Sequence, residues 1–347
     1  MWFSALINDT IAIKRAWFNF MPSWWYCQYG FEYGERMVFD PDYRIATHQA
    51  MRRVMAQRFK AAHLGEADPK PVAMAPDWGN AVIGALCGCE VEYPADNYPL
   101  MRHLPEDRLG SLAVPADLWE TFPYAEILRQ ARAMSAKLDA DVAPAIPTRG
   151  ILNEAVLLRG DELFTDMFVE PEKAARVLDY SFSLMKAQIH ANARFGGIPV
   201  MLANCTVPMV GPSTYEEKLL RYDAGVARLC GESGVVFALH HCGNFDPYAR
   251  AYRTLSPHFG FLDIGHESDL RSALGMFPEA EVFMIVSTHL MRTGSVGQVE
   301  AKIDQILDAA RGNWHRLTLS VADIDVGTPD ENIIAVYERL KARMGSS

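Results

Sequence analysis

Hydrophobic and polar positions follow two alternating patterns through the second half of the chain. Short apolar runs are each followed by a longer segment in which apolar residues recur every three or four positions. The first pattern is typical of buried strands and the second of amphipathic helices. Predicted strands cover 198–205, 235–243, 259–268, 280–290 and 316–325. Predicted helices cover 171–195, 212–234, 246–255, 269–278, 295–313 and 329–345.

This alternation predicts a parallel sheet, because each helix carries the chain back to start the next strand in the same direction. Two further strands are expected upstream, at 70–78 and near 145–153. The number of strands favours an α/β fold of the closed (β/α)8 TIM barrel type over an open sheet. The glycine-rich signatures of nucleotide-binding folds are absent from the sequence. We therefore expect a single domain, 1–347, in which the barrel spans 71–347.

Residues 1–70 differ from the rest of the chain, since they are rich in aromatic side chains and poor in periodicity. They are expected to form an N-terminal cap over one end of the barrel. Two interpretations of this cap stay open. Its aromatic residues either cover apolar surface or line a substrate mouth, in which Trp24, Arg36 and Arg44 would contact the substrate.

The composition narrows the classes of partner and compartment. The chain has 347 residues, with 33 basic and 43 acidic side chains and a net charge of −10, which argues against a nucleic-acid partner. No apolar run approaches the roughly 18 residues of a membrane helix, and the first residues lack the order of a signal peptide. Six cysteines are too sparse for a disulfide scaffold, so we expect a reduced, cytoplasmic protein.

Side chains that can bind a metal or a substrate lie at the carboxyl end of each predicted strand of the second half. Because the parallel strands of a barrel end at one face, these residues are expected to open onto one site. They are Asn204, Cys205, His240, His241, Cys242, His266, Glu267, Ser287, His289, Asp323 and Asp325. The convergence predicts an enzyme acting on a small molecule. A barrel that only binds a ligand does not need titratable groups at every strand end.

His240 and Cys242 are the strongest candidates for chemistry. Residues i and i+2 of a strand face the same side, so these two should point to one centre and His241 away from it. An imidazole and a thiolate are good zinc ligands, and a catalytic zinc site needs one more protein ligand and an open position. The alternative is a core histidine beside a small buried cysteine.

From about residue 70 to the end, several motifs resemble the uroporphyrinogen decarboxylase superfamily. They are LLRGDELFTDMFVEPEKAARVLDYSFSLMKAQI, ANCTVPMVGPSTYEEKLLRYDAG, ALHHCGN and VGTPDENI. The superfamily consists of (β/α)8 barrels and includes zinc-dependent methyltransferases, whose H-x-C-G signature is similar to the third motif. The resemblance implies a zinc enzyme. Its reaction would move a methyl group between a corrinoid protein, or a small methylated donor, and a thiol acceptor.

Two departures from the family pattern matter. The methyltransferases carry a third zinc ligand, a cysteine before the GTP tail, where this chain has Ala322; no cysteine follows Cys242. Asp323 or Cys205 is the preferred replacement, while His289, His266 and a site without zinc stay open. The arginine-rich motif by which the decarboxylases grip a porphyrin is also missing. Porphyrinogen decarboxylation is therefore disfavoured.

Other residues are expected in supporting roles. Asn204, Glu154 and Tyr215 are candidates for orienting the substrate; for Glu154 the alternative is a carboxylate at a helix N-terminus, where the helix dipole favours it. The runner-up function is a metal-free lyase that decarboxylates a smaller acid. In it, His240 and His289 would act as general acid and base, and Arg36 or Arg44 would hold the carboxylate. We expect a monomer or a homodimer.

Overall fold

A parallel sheet of six strands forms the centre of the computed structural model, which describes residues 15–344 apart from 77, 145, 196–198 and 256–258. The described part of the chain contains eight strands, six in this sheet and two in a separate pair. They are β1 (Ala16–Phe20), β2 (Val91–Glu92), β3 (Leu100–Met101), β4 (Val200–Ala203), β5 (Phe237–His241), β6 (Phe261–Ile264), β7 (Glu281–Ile285) and β8 (Leu317–Ile324). Strands β2 and β3 pair separately and antiparallel. The other six follow the order β1-β8-β7-β6-β5-β4.

The helices pack around this sheet. They are α1 (Pro22–Tyr29), α2 (Gly34–Phe39), α3 (Pro41–Arg58), α4 (Ala81–Cys87), α5 (Tyr124–Leu138), α6 (Ile151–Arg159), α7 (Glu162–Val169), α8 (Pro171–Ala193), α9 (Pro212–Thr214), α10 (Leu220–Glu232), α11 (Ala249–Arg253), α12 (Leu270–Met276), α13 (Thr288–Thr293), α14 (Val296–Ala309) and α15 (Asp330–Met344). A π-helical turn, Tyr215–Leu219, joins α9 to α10. Among the described helices, none is long and apolar enough to cross a membrane.

The order of the strands identifies the class of fold. The first strand, β1, pairs in parallel with the last, β8, as the ends of a closed barrel do, whereas a doubly wound sheet places its first strand in the middle. Every residue of β4 and β5 is buried, as the near-continuous apolar runs require when both faces of a parallel sheet are covered. The predicted α/β barrel class is confirmed.

Local sequence signals set several helix boundaries. The Asp40 side chain accepts hydrogen bonds from the backbone N–H groups of Asp42 and Tyr43, both at 3.0 Å, and Pro41 then opens α3. Ser295 and Gln298 form a reciprocal capping box at the start of α14. Asp269 caps α12 as Asp40 caps α3, because its side chain accepts hydrogen bonds from the Arg271 and Ser272 N–H groups. Such caps satisfy backbone N–H groups that have no partner within the first turn of a helix.

The two strands predicted upstream of residue 197 are not regular strands. Residues 151–153 belong instead to the first turn of α6. Residues 146–150 run beside β4, where the Gly150 N–H donates to the Ala203 carbonyl at 3.1 Å. Proline explains part of the irregularity: Pro71, Pro76 and Pro147 lie in the two segments, and each lacks an N–H donor for a ladder.

The proposed cap contains an unexpected strand. Residues 1–14 lie outside the described part of the chain, but Ala16–Phe20 is a fully buried member of the main sheet, with Ala16 opposite Leu319 and Phe18 opposite Val321. The sheet therefore begins well before residue 71, and this part of the predicted boundary is corrected. The division of the chain into a cap and a barrel otherwise stays a prediction.

Candidate metal centre

Three side chains converge at the carboxyl end of the sheet. Each of Cys205, His240 and Cys242 offers one ligand atom, and these atoms all lie within 4.8 Å of one another. The Nε2 atom of His240 is 3.0 Å from the Sγ atom of Cys242. His240 lies in β5, Cys242 follows that strand directly, and Cys205 follows β4. The i, i+2 spacing thus places His240 and Cys242 together, as the strand period predicts.

The pairing of β4 with β5 brings in the third side chain. Ala203 lies opposite His240, and the Asn204 N–H donates to the His240 carbonyl at 2.7 Å. Cys205 therefore stands level with the end of β5. Asn153, in the first turn of α6, accepts a hydrogen bond from the Thr206 N–H at 3.0 Å and so holds the loop that carries Cys205.

A close backbone contact shapes the turn after Cys242. Gly243 has φ +74°, in the left-handed region that favours glycine. Gly265, at the end of β6, packs directly on it, and a Cβ atom at Gly265 would lie 2.1 Å from the Gly243 carbonyl oxygen. Any side chain at Gly265 would displace the turn and move Cys242 with it.

Asp263 orients His240 from the neighbouring strand. The two residues lie opposite each other in the pairing of β5 with β6, and His240 Nδ1 is 2.7 Å from Asp263 Oδ2. Both are buried. With Nδ1 bound to the carboxylate, the Nε2 atom is directed at the two thiols. Histidines that bind a metal through one ring nitrogen commonly hold a carboxylate at the other in this way. Asp263 is not among the residues predicted from the sequence, although a lone carboxylate inside the apolar run FLDI is a signal for such a role.

The charges of the three candidate ligands depend on one another. Burial alone would lower the pKa of His240, but Asp263 and the Cys205 sulfur raise it to about 10. The hydrogen bond between the thiols lowers the pKa of Cys205 to about 3, and His240 acts in the same direction. That hydrogen bond raises the pKa of Cys242. Binding a cation would therefore release protons from this cluster.

A cavity of about 290 Å³ opens beside the cluster. Its walls include Trp17 from β1, Asn153 and Leu157 from α6, and Ala322 and Asp323 from β8. Asp323 has φ +56°, which is unusual for a residue other than glycine. Burial raises the pKa of Asp323. Of the four predicted metal ligands, the structure groups Cys205, His240 and Cys242, while Asp323 lines the same cavity outside that group.

Asn204 and Tyr215 lie in a buried network on the other side of β4. Asn204 Nδ2 donates to Asp223 Oδ2 at 2.8 Å, and the Tyr215 hydroxyl donates to the same oxygen at 2.7 Å. His241 turns away from the cluster, as predicted, and its Nδ1 is 2.8 Å from the Tyr252 hydroxyl, which in turn contacts Asn204. The structure thus engages Asn204 and Tyr215 with Asp223, and their predicted contact with the substrate stays a prediction. Their side chains tie the ends of β4 and β5 to the outer helices.

Glu154 also lies away from the cavity. It is buried in the first turn of α6, where the alternative expectation placed it, and burial raises the pKa of Glu154 to about 8. The two histidine candidates that follow Cys242 in the chain are likewise outside the cavity lining. His289 is exposed in α13, with Nε2 3.3 Å from the Thr293 hydroxyl. His266 is half-buried in the turn after β6.

The three residues predicted to form a substrate mouth have structural partners instead. Trp24 is 1% exposed and packs against the rings of Phe20 and Trp25, with centroids 4.6 and 4.9 Å away. Arg44 is buried and donates to Gln130 Oε1 at 2.6 Å and to the Met74 carbonyl at 2.8 Å. Packing and buried hydrogen bonds thus account for both side chains.

Arg36, the third, is exposed. Its guanidinium lies 3.4 Å from Asp40 and 4.2 Å from the centre of the Tyr43 ring. None of Trp24, Arg36 and Arg44 is among the residues that line the cavity beside the cluster. The structure thus places these three side chains away from this cavity, and their role at a substrate mouth stays a prediction.

The fold and this cluster define a β/α-barrel protein with a candidate metal centre at the carboxyl ends of its strands. The chain belongs to the uroporphyrinogen decarboxylase (URO-D) family, whose model matches residues 78–343. Its structure is similar to that of a methyltransferase from Methanosarcina mazei, with a TM-score of 0.67 and 17% sequence identity over 98% of this chain and 95% of that one. At that identity the likeness shows a shared fold. No curated protein matches the sequence significantly.

Proposed function

We propose that the chain is a zinc-dependent methyltransferase in which Cys205, His240 and Cys242 hold the metal. The observation that carries the proposal is their convergence, within 4.8 Å, at the wall of a cavity at the carboxyl end of the sheet. The family and the fold shared with a methyltransferase support the same reaction class. The acceptor would be a thiol, and the methyl donor a corrinoid protein or a small methylated compound.

The donor set fits zinc. Two thiolates and an imidazole are typical zinc ligands, and three protein ligands leave the fourth tetrahedral position for a substrate. With bond lengths of about 2.0–2.3 Å, neighbouring ligand atoms on a tetrahedral ion lie roughly 3.5–3.8 Å apart. Separations below 4.8 Å therefore need only small side-chain adjustments. Because Cys205 supplies a third soft ligand, the site does not need the cysteine that Ala322 replaces.

When bound, the metal supplies the Lewis acidity that keeps an acceptor thiol deprotonated near neutral pH. The protein side chains orient the ligands and accept the proton. Asp263 fixes the His240 ring, and Asn153 holds the Cys205 loop. Asp323 lies on the cavity wall, where its carboxylate would accept the proton that an incoming thiol loses. The half-closed cavity limits the access of water to the reacting atoms.

The lyase alternative finds no support in the site. Its proposed partner for His240, His289, is exposed and is not among the residues that line the cavity. Arg36 and Arg44, which were to hold the carboxylate, lie elsewhere and bind Asp40 and Gln130. His240 itself is engaged by one carboxylate and two sulfur atoms.

Metal analysis tests the proposal directly. Protein purified without chelator and with zinc supplied should contain about one zinc ion per chain and should methylate a thiol when given a methylated corrinoid. His240→Ala and Cys242→Ala should each lose metal and activity together. Cys27→Ser, which changes an exposed thiol, should keep both. An active wild-type protein without stoichiometric metal would overturn the proposal.

The cellular setting follows from the same chemistry. A zinc site with two thiolates requires reduced cysteines, and all six cysteines are free thiols in the structure. We therefore keep the cytoplasm as the expected compartment. A monomer or homodimer, with a corrinoid protein as a transient partner, completes the proposal.

A further inference from the structure

A second cavity, of about 260 Å³, adjoins the one beside the candidate metal centre. Its outer wall is the segment 97–101, which contains β3. The two cavities share three lining residues, Asn80, Arg149 and Leu157, and these side chains form the boundary between them, here called the neck. A small thiol would fit within the first cavity alone. The second cavity therefore has room for a part of the substrate that does not react.

The neck is polar and held in place. Arg149 is buried, and its Nε donates to Asn80 Oδ1 at 3.1 Å, while its Nη1 donates to the Thr148 carbonyl at 3.1 Å. Its Nη2 donates to the Gly79 carbonyl. Because the amide oxygen of Asn80 is engaged by Arg149, the N–H groups of Asn80 are the part of that side chain suited to a ligand. The neck thus favours a hydrogen-bond acceptor, such as a carbonyl or a carboxylate oxygen.

The second cavity itself is mostly apolar. Its apolar lining residues are Pro99, Leu100, Met101 and Leu157. Gly79 lets the outer segment come close, since a Cβ atom there would lie 3.0 Å from the Tyr98 Cβ, and its φ of +50° is also in the left-handed region. Such walls bind an aliphatic or aromatic group by burying it.

We propose that the substrate of this protein is an elongated thiol. Its sulfur would bind at the metal, a carbonyl or carboxylate group would lie at the Asn80–Arg149 neck, and an apolar tail would fill the second cavity. The inference rests on the proposed function, because it takes the metal centre as the position of the sulfur. N-acylated aminothiols have this order of groups and serve as probes.

The test uses the protein loaded with Co²⁺ in place of zinc, because thiolate binding to cobalt produces an absorption band that can be titrated. Affinities are measured for N-acetyl-, N-butanoyl- and N-hexanoylcysteamine. Each methylene buried in the second cavity should tighten binding roughly fourfold. 3-Mercaptopropionate and N-acetylcysteamine are compared with 1-butanethiol, which has no acceptor. If 3-mercaptopropionate or N-acetylcysteamine binds more tightly than 1-butanethiol, the neck accepts a carboxylate or a carbonyl group, respectively. If all three thiols bind with equal affinity, the neck has no role in recognition.

Variants of Leu100 locate the tail. Leu100 is 47% exposed, so the fold should tolerate replacement. Leu100→Trp should abolish the gain in affinity with chain length, whereas Leu100→Ala should extend that gain to longer chains. Val236→Trp, at a site 49% exposed and outside the residues lining either cavity, is the matched control.

Failure of this inference can be told apart from failure of the proposed function. If cobalt binds and the thiols bind with the same affinity whatever their length, the second cavity is not the tail site and the metal centre stands. If Leu100→Trp leaves the chain-length series unchanged, the same conclusion follows. If neither cobalt nor zinc binds, the proposed function fails, and this inference fails with it.

Discussion

Two regions of the sequence are rich in residues that suggest chemistry, and the structure arranges their side chains differently. At the ends of β4 and β5, two cysteines and a histidine come within 4.8 Å of one another beside a cavity. In the segment 17–44, Trp17 lines that cavity, whereas Trp24 and Arg44 are buried among structural partners and Arg36 is exposed. The strand ends are constrained by the sheet, so their side chains converge. Aromatic density alone fixes no direction and is satisfied by packing.

The largest expected effect comes from removing the aromatic packing. Trp24→Ala should lower the free energy of unfolding by about 3–5 kcal/mol, because Trp24 is 1% exposed and packs in the core. Folded protein should still bind zinc as the wild type does. Denaturant unfolding measures the change, with Tyr26→Ala, at a 41% exposed position of the same helix, as the control. Normal stability combined with a raised KM would return Trp24 to the substrate mouth.

The identity of the third ligand gives the next largest effect. Cys205→Ser should weaken zinc binding by more than about 100-fold, since changes around metal ligands already cost about 10–100-fold. Asp323→Asn should change it by only a few-fold, because Asp323 lies outside the group of three ligand atoms. Competition with a chromophoric chelator measures both. A reversed order of the two variants would make Asp323 the ligand.

Asp263 should have an intermediate effect. Asp263→Asn removes the charge that holds His240 Nδ1 at 2.7 Å, and zinc binding should weaken by about 10–100-fold while the three ligands remain. Asp325→Asn, a carboxylate near the same end of the sheet but outside the cavity lining, should bind zinc normally. Isothermal titration distinguishes the two variants. Unchanged affinity in Asp263→Asn would mean that the imidazole is held by its packing alone.

The smallest effect is expected at Arg36. Its ion pair with Asp40 is exposed, and exposed pairs contribute about 0–1 kcal/mol. Arg36→Ala should therefore change neither the free energy of unfolding nor kcat/KM measurably. A clear loss of kcat/KM at normal stability would show that this side chain reaches the substrate. The segment 17–44 would then contribute to the site as the strand ends do.

The sequence could predict those features that depend on the period of a single element. The two-residue period of a strand pairs His240 with Cys242 and turns His241 away, and the strand–helix alternation indicates the barrel. Features that depend on two strands together could not be derived. Whether Cys205 or Asp323 joins the cluster depends on the register of β4 against β5, which places Ala203 opposite His240. Asp263 was missed for the same reason.

Two further misses have local causes. β1 lies in a stretch so rich in aromatic residues that no alternation is visible, because all five of its residues are buried. Asp323 has a positive φ, which breaks the side-to-side alternation near the end of β8, so the direction of its side chain does not follow from counting along the strand. The assignment of β1 as a strand and the direction of the Asp323 side chain both depend on the neighbouring strand, which the sequence of one segment does not reveal.

The pairing of β1 with β8 has a consequence for how the protein can be divided. The family model begins at residue 78, after β1, and a fragment cut at that boundary would leave the backbone of β8 unpaired along one side. An unpaired edge of this kind recruits strands from other chains and leads to aggregation. Residues 16–20 also carry Phe18 and Phe20, whose removal would open a hole in the core. Soluble expression of the barrel therefore depends on a five-residue strand that the family boundary leaves out.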